Sequence, residues 1–183
     1  MEITYNEKVK NMRLFIGIKT NCEQGLAALQ NELRKMGSGN FTHPENLHIT
    51  LKFLGELPPA KLGAIRRAMN SVSAKPFALK VMGAHLFNKS GIAAARIGGD
   101  VNALTALHAQ LEAALVQQGF DREHRAYRPH VTLARKFRPK PGADIERVPF
   151  SPLPFIAGEI VLFESKRVDG KLVYEPLRAR ALR

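Results

Sequence analysis

The pattern H-x-T-L occurs twice in the chain, as His48-Ile49-Thr50-Leu51 and as His130-Val131-Thr132-Leu133. With six histidines in 183 residues, chance placement would give on the order of 0.02 such matches. Each copy closes a similar stretch. Residues 13–18 form a short apolar run that reads as a buried strand. A helix follows over 22–36, with Leu26, Leu29, Leu33 and Met36 at steps of three and four, ended by a turn at Gly37-Ser38-Gly39-Asn40. Residues 47–55 alternate as a strand. The second copy runs from a strand at 91–98 through a helix at about 101–118, carrying Leu104, Leu107, Leu111 and Leu115 and stopped by Gly119, to a strand at 127–135. Ile16 precedes His48 by 32 residues and Ile97 precedes His130 by 33. The halves read as two copies of one β-α-β unit packed about a pseudo-two-fold axis, so that equivalent residues face each other.

The remaining segments fit around this repeat. Pro58-Pro59 opens a helix carrying Leu62, Ile65, Met69 and Val72. Residues 77–87 pair with the 91–98 strand around the turn Asn88-Lys89-Ser90-Gly91, and a proline-rich segment, 136–154, reads as a long mobile loop. A strand at 155–164 and a hairpin to 172–178 through Val168-Asp169-Gly170-Lys171 complete the chain. The length suits one domain of two lobes over 1–183, with residues 1–11 as an N-terminal extension. No apolar run approaches a membrane span, the first residues lack a signal peptide's apolar core, and Cys22 is the single cysteine. A cytoplasmic protein without a disulfide or a membrane partner is expected.

Strand geometry gives the doubled motif its meaning. Side chains alternate faces, so His48 and Thr50 point one way while Ile49 and Leu51 point the other, and His130 and Thr132 are set against Val131 and Leu133 in the same manner. Related by a two-fold, the two polar pairs converge in one cleft. Histidine titrates near neutral pH, so one ring can take a proton while the other gives one, and threonine hydroxyls can bind phosphate oxygens. Lys plus Arg is 28 against 16 Asp plus Glu, a formal net charge of +12. Such a surface attracts polyanions, of which nucleic acid is the commonest in a cell. Metal-free cleavage of a phosphodiester fits all of these features.

Three stretches carry a family resemblance: Arg13-Leu14-Phe15-Ile16, Pro44-Glu45-Asn46-Leu47-His48-Ile49-Thr50-Leu51-Lys52-Phe53-Leu54-Gly55, and Arg128-Pro129-His130-Val131-Thr132-Leu133-Ala134-Arg135. The chain resembles the 2H phosphoesterase superfamily and, within it, the bacterial and archaeal RNA 2′,3′-cyclic phosphodiesterases, also called 2′-5′ RNA ligases. The likeness covers about residues 12–165. It implies a bilobal α+β fold with antiparallel sheets flanking a central cleft. It also implies hydrolysis of an RNA 2′,3′-cyclic phosphate to a 2′-phosphate without a cofactor. By position, His48 would be the proton donor to the leaving 3′ oxygen and His130 the proton acceptor that activates water. Thr50, Thr132 and Arg135 would hold the phosphate.

Several residues keep two readings. Strict alternation puts Lys136, not Arg135, on the cleft face, unless a bulge intervenes. Lys52 shares the parity of His48 and either neutralises phosphate or is a solvated strand lysine. Phe15 has the parity opposite to Leu14 and Ile16; it either stacks on a base in the cleft or belongs to the core. His43, His85, His108 and His124 read as structural or exposed. Cys22 opens a helix, which could lower its pKa. No metal-ligand spacing, Walker A loop or dinucleotide fingerprint is present. A monomer is expected, acting on RNA with a cyclic phosphate end or on a cyclic nucleotide. Two alternatives stay open: a silent RNA- or nucleotide-binding module of the same shape, and reversible 2′-5′ joining of tRNA halves.

Overall fold

The structure, a computed structural model, describes residues 10–87 and 91–183. Residues 1–9 of the expected extension, and 88–90 of the expected turn, lie outside the described residues. Nine strands and three helices are present among those described. They are β1 (Met12–Lys19), α1 (Glu23–Met36), β2 (Gly37–Phe41), β3 (His48–Leu57), α2 (Leu62–Ser71), β4 (Phe77–Phe87), β5 (Ile92–Gly99), α3 (Val101–Gln117), β6 (His130–Pro139), β7 (Leu153–Ala157), β8 (Glu159–Val168) and β9 (Lys171–Ala181). The strands form one antiparallel sheet in the order β7-β4-β5-β6-β3-β1-β8-β9, with β2 beside β6.

The two motif strands β3 and β6 meet through one residue pair, Ile49 against Val131, both fully buried, and β2 of the first half runs on along β6. Outward from that seam β6 matches β3, β5 matches β1, β4 matches β8 and β7 matches β9. Corresponding pairings confirm the repeat: Gly17 lies opposite Thr50 as Ala94 lies opposite Thr132, and Phe163 lies opposite Phe15 as Phe87 lies opposite Ile92. The register differs from the one the sequence spacing implied. It aligns Gly17, not Ile16, with Ala94, not Ile97. The link from Gly17 to Thr50 is 33 residues and that from Ala94 to Thr132 is 38; the irregular segment before His130 absorbs the excess.

Helices α1 and α3 each pack a leucine stripe on the sheet and reach across the seam. On α1, Leu26, Leu29 and Leu33 are buried, and Gln30 donates through Nε2 to the Leu133 carbonyl of β6 at 2.9 Å. On α3, which Asp100 caps by accepting from the Ala103 N–H, Leu104, Leu107, Leu111 and Leu115 are fully buried. Glu112 on this helix takes Lys52 of β3 at 2.7 Å. Lys52 is therefore not a phosphate ligand or a solvated residue. A bulge at Leu51 turns it inward, where its Nζ also donates to the Asp121 carbonyl and Glu112 accepts the Glu123 N–H.

Two loop expectations fail for identifiable reasons. The segment Gly37-Ser38-Gly39-Asn40 is strand, not turn: α1 ends with Gly37 fully extended, and β2 continues along β6. A Cβ on Gly39 would lie 2.9 Å from the Phe137 Cα, so this close approach needs glycine. Residues 136–154 are held rather than looped freely: β6 runs to Pro139, Ile145 is buried in a short 3-10 turn capped by Asp144, and β7 starts at Leu153. Burial and Glu23 push the Cys22 thiol pKa up rather than down, as suits an inert thiol.

The Lys52–Glu112 pair, about one-tenth exposed at each side chain, generates a stability prediction. Lys52→Met should cost about 3–5 kcal/mol in denaturant unfolding, because a buried carboxylate is left uncompensated. The double variant Lys52→Met/Glu112→Leu should recover most of that loss; equal loss in both variants would refute the pairing account.

Candidate active site

The seam fixes the site. With Ile49 and Val131 opposed and pointing into the core, the antiparallel register sets His48 across from Thr132 and Thr50 across from His130 on the other face. The two histidines are then diagonal neighbours, a relationship that spaces Cβ atoms on the order of 7–8 Å on a pleated surface. Both side chains are set by the same device. His48 Nδ1 lies 2.7 Å from the carbonyl oxygen of Asn46, and His130 Nδ1 lies 2.7 Å from that of Arg128, in each case the residue two before the histidine. A carbonyl only accepts, so Nδ1 carries the hydrogen and Nε2 of each neutral ring presents its lone pair. Thr50 completes the first pair: its hydroxyl donates to His48 Nε2 at 3.0 Å.

Asn46 is a residue that sequence reasoning passed over except as part of the family stretch. It is buried, donates through Nδ2 to the Leu172 carbonyl at 2.8 Å and accepts the Tyr174 N–H at 3.2 Å. This ties the short turn before His48 to β9. Nothing in composition or spacing marks a backbone carbonyl as an orienting group.

Behind His48 the face is filled by aromatic rings. Phe15 stands 4.7 Å from the His48 ring, stacks on Phe163 at 5.0 Å and meets Tyr174 edge-on at 4.8 Å. Phe15 is 4% exposed. It faces the cleft side as its parity allowed, but base stacking by Phe15 is corrected: no ring face is open to a base. Gly17 lets His48 lie against β1, since a Cβ there would meet the Ile49 carbonyl at 2.7 Å and the His48 ring at 3.1 Å.

The second half is more open. Two hollows of about 320 and 410 Å³ adjoin His130; both are bordered by Phe87 and Arg128, the first also by His85, Arg96 and Tyr127, the second by Arg125. Phe87 meets the His130 ring edge-on at 5.2 Å and the His85 ring at 4.8 Å. His85 bonds Glu146 at 2.8 Å, and Arg96 lies 3.7 Å from the same carboxylate. No local signal connects His85 with the site, because β4 and the 145–147 turn meet only in the folded sheet.

Arg135 joins the site through a second bulge. The β5–β6 register skips Leu133, so Leu133 and Ala134 are both buried and Arg135 returns to the face of His130 and Thr132. Lys136 then takes a left-handed backbone, with φ of 52°, at a further irregularity. The positive charge of Arg135 acts on both histidines.

Burial is the main force on the two rings. It pushes His48 down to about 4, with Arg135 and His130 adding to the effect and the Asn46 carbonyl opposing it. His130 is lowered by burial and then by Arg135 and His85, against the Arg128 carbonyl. Both rings are thus neutral near pH 7 in the free protein. Of the other histidines, His108 stacks on Tyr127 at 3.9 Å, and His43 lies 3.8 Å from Glu45 on the surface. Among the described residues no group of three or more His, Cys, Asp or Glu converges to hold a metal, and no helix is long and apolar enough to cross a membrane.

Comparison with known proteins agrees with this architecture. The family model of the 2′-5′ RNA ligase superfamily matches residues 20–169. An RNA 2′,3′-cyclic phosphodiesterase of Methanocaldococcus jannaschii is 35% identical over 126 residues, covering 68% of this chain and 71% of that protein. One of Archaeoglobus fulgidus is 31% identical over 141 residues, 74% and 80% of the two chains. One of Geobacillus stearothermophilus is 33% identical over 146 residues, 76% of this chain; the match spans only 46% of that relative's length. Among solved structures, apo LigT of E. coli superposes with a TM-score of 0.77 at 24% identity, over 94% of this chain and 98% of LigT. A protein of Thermus thermophilus gives 0.74 at 24% identity, over 93% and 98%. The likeness to both is one of fold. Together the doubled motif, the two-fold sheet and the family match lead to one assignment: the chain belongs to the 2′-5′ RNA ligase superfamily.

Proposed function

We propose that this protein hydrolyses the 2′,3′-cyclic phosphate at an RNA 3′ end to a 2′-phosphomonoester, by metal-independent acid–base catalysis between His48 and His130. The carrying observation is the matched orientation of the two rings. Each is held by a carbonyl two residues back, so each offers Nε2 to the same face. The names of the curated relatives point to the same reaction, and the net charge of +12 suits an RNA substrate.

In the proposed cycle His130 Nε2 takes a proton from water as the water oxygen attacks phosphorus. The P–O3′ bond breaks in line with that attack, and His48 gives its Nε2 proton to the departing O3′. One water is consumed, and a proton passes from His48 to the product while His130 gains one, so exchange with solvent resets the pair. The free protein holds His48 neutral, with Thr50 donating to its Nε2. A bound phosphate anion supplies what is missing. Its charge favours the imidazolium, and its oxygens accept the Thr50 hydroxyl, freeing Nε2 for a proton. Thr132 and Arg135 hold the remaining non-bridging oxygens.

Hydrolysis of adenosine 2′,3′-cyclic phosphate in excess EDTA should proceed at the untreated rate and yield the 2′-monophosphate. Loss of activity with chelator would remove the metal-free mechanism, and a 3′-monophosphate product would remove the assignment of the leaving oxygen. His48→Ala and His130→Ala should each lower kcat by at least about 10²-fold with the fold retained by circular dichroism. A wild-type rate in either variant would cancel that residue's role.

The pH profile follows from the depressed rings. Productive binding needs one proton on the pair, and both free-protein pKa values lie below the ordinary 6.5. The profile of kcat/KM should therefore already be falling by pH 6.5 and keep falling above it, as the required imidazolium disappears, and decline again below about 4, where both rings are charged. The kcat optimum should sit at higher pH, because bound phosphate raises the pair. A kcat/KM that keeps rising through pH 8 would contradict this assignment of charge.

A further inference from the structure

We propose that Phe53, with Arg13 standing over its ring, is the platform on which the base of the substrate's terminal nucleotide stacks. The inference rests on the phosphodiesterase reading for the substrate and on the sheet register for the residue. Phe53 is 52% exposed, unusual for a phenylalanine inside a ten-residue strand. Its direction is set by the bulge at Leu51, which leaves Leu51 and Lys52 both buried and returns Phe53 to the face of His48 and Thr50. The neighbouring strand agrees. Phe53 pairs with Phe15, and the Phe15 ring lies against His48. The Arg13 guanidinium carbon stands 5.0 Å from the Phe53 ring centroid.

The pseudo-two-fold makes this position specific. Each motif strand has its bulge three residues after the histidine, and the residue two further on returns to the cleft face. In β6 that residue is Arg135, whose charge acts on both histidines. In β3 it is Phe53. One half thus presents a cation at the place where the other presents an aromatic ring, which suits a ligand with a phosphate at one end and a planar base at the other. His48 Nε2 hangs over Thr50, and Phe53 lies two pleat steps beyond Thr50 once the bulge is discounted, about 7 Å. That is within reach of one nucleoside. Phe15 cannot serve, since its ring faces are taken by His48 and Phe163.

Base–aromatic stacking contributes enough to be read directly. In Phe53→Ala, KM for adenosine 2′,3′-cyclic phosphate should rise about tenfold with kcat within about twofold, whereas KM for ribose 2′,3′-cyclic phosphate, which has no base, should move less than twofold; Phe53→Trp should restore the adenosine KM. Titration of 2′-AMP by calorimetry reads the same contact without turnover, and Phe53→Ala should weaken it about tenfold. An unchanged KM and an unchanged 2′-AMP affinity in folded Phe53→Ala would overturn the platform while leaving the hydrolase standing. Equal loss on the base-free substrate would also overturn it. A wild-type protein that hydrolyses nothing but loses 2′-AMP affinity on Phe53→Ala would keep the platform and discard the reaction.

Discussion

The site depends on one backbone pairing. Ile49 opposite Val131 is the rung that pairs the two motif strands β3 and β6, with β2 continuing along β6, and both side chains are buried without exposure. Alternation along a strand leaves no freedom once that rung is set: the residues before and after each apolar partner emerge on the other face. Four polar side chains therefore form one block, two imidazoles on a diagonal and two threonines on the other. A slip of one residue at this seam would send the histidines into the core. The helices guard against it, since Gln30 and Glu112 each reach from one half to the motif strand of the other.

The two halves share their frame and differ in what fills it. Around His48 the equivalent positions are Phe15 and Phe163, joined by Tyr174, and the space is closed by rings. Around His130 they are Ile92 and Phe87, and hollows remain, bordered by Arg96, Arg125 and Arg128. This asymmetry explains why His48 is the more strongly depressed ring under desolvation. A symmetric frame with unequal linings gives two chemically identical side chains different electrostatic settings.

Much of the fold was legible because it follows local rules. The leucine stripes, the stop at Gly119 and the alternation through both H-x-T-L strands are short-range signals, and each predicted element that they carry exists. Misreadings came where a long-range contact decides the local conformation. Two glycines after α1 resemble a turn until β6 is there to pair with them. The proline-rich 136–154 segment resembles a loop until Ile145 and Glu146 dock on β4 and β5.

By itself the sequence determined which polar residues share a face: a histidine and a threonine two apart must share a side of any strand, and a motif repeated within a repeated unit must be placed twice in equivalent settings. The tertiary structure decided everything that depends on a bulge or a distant partner. The bulges at Leu51 and Leu133 shift parity by one, turning Lys52 into a core ion pair and bringing Arg135 and Phe53 to the cleft. Packing closed Phe15 behind His48 and brought the Asn46 and Arg128 carbonyls to the two rings. Parity is a property of a chain segment, whereas a bulge is stable only when neighbouring strands accept it, so the former can be read along the sequence and the latter only across the sheet.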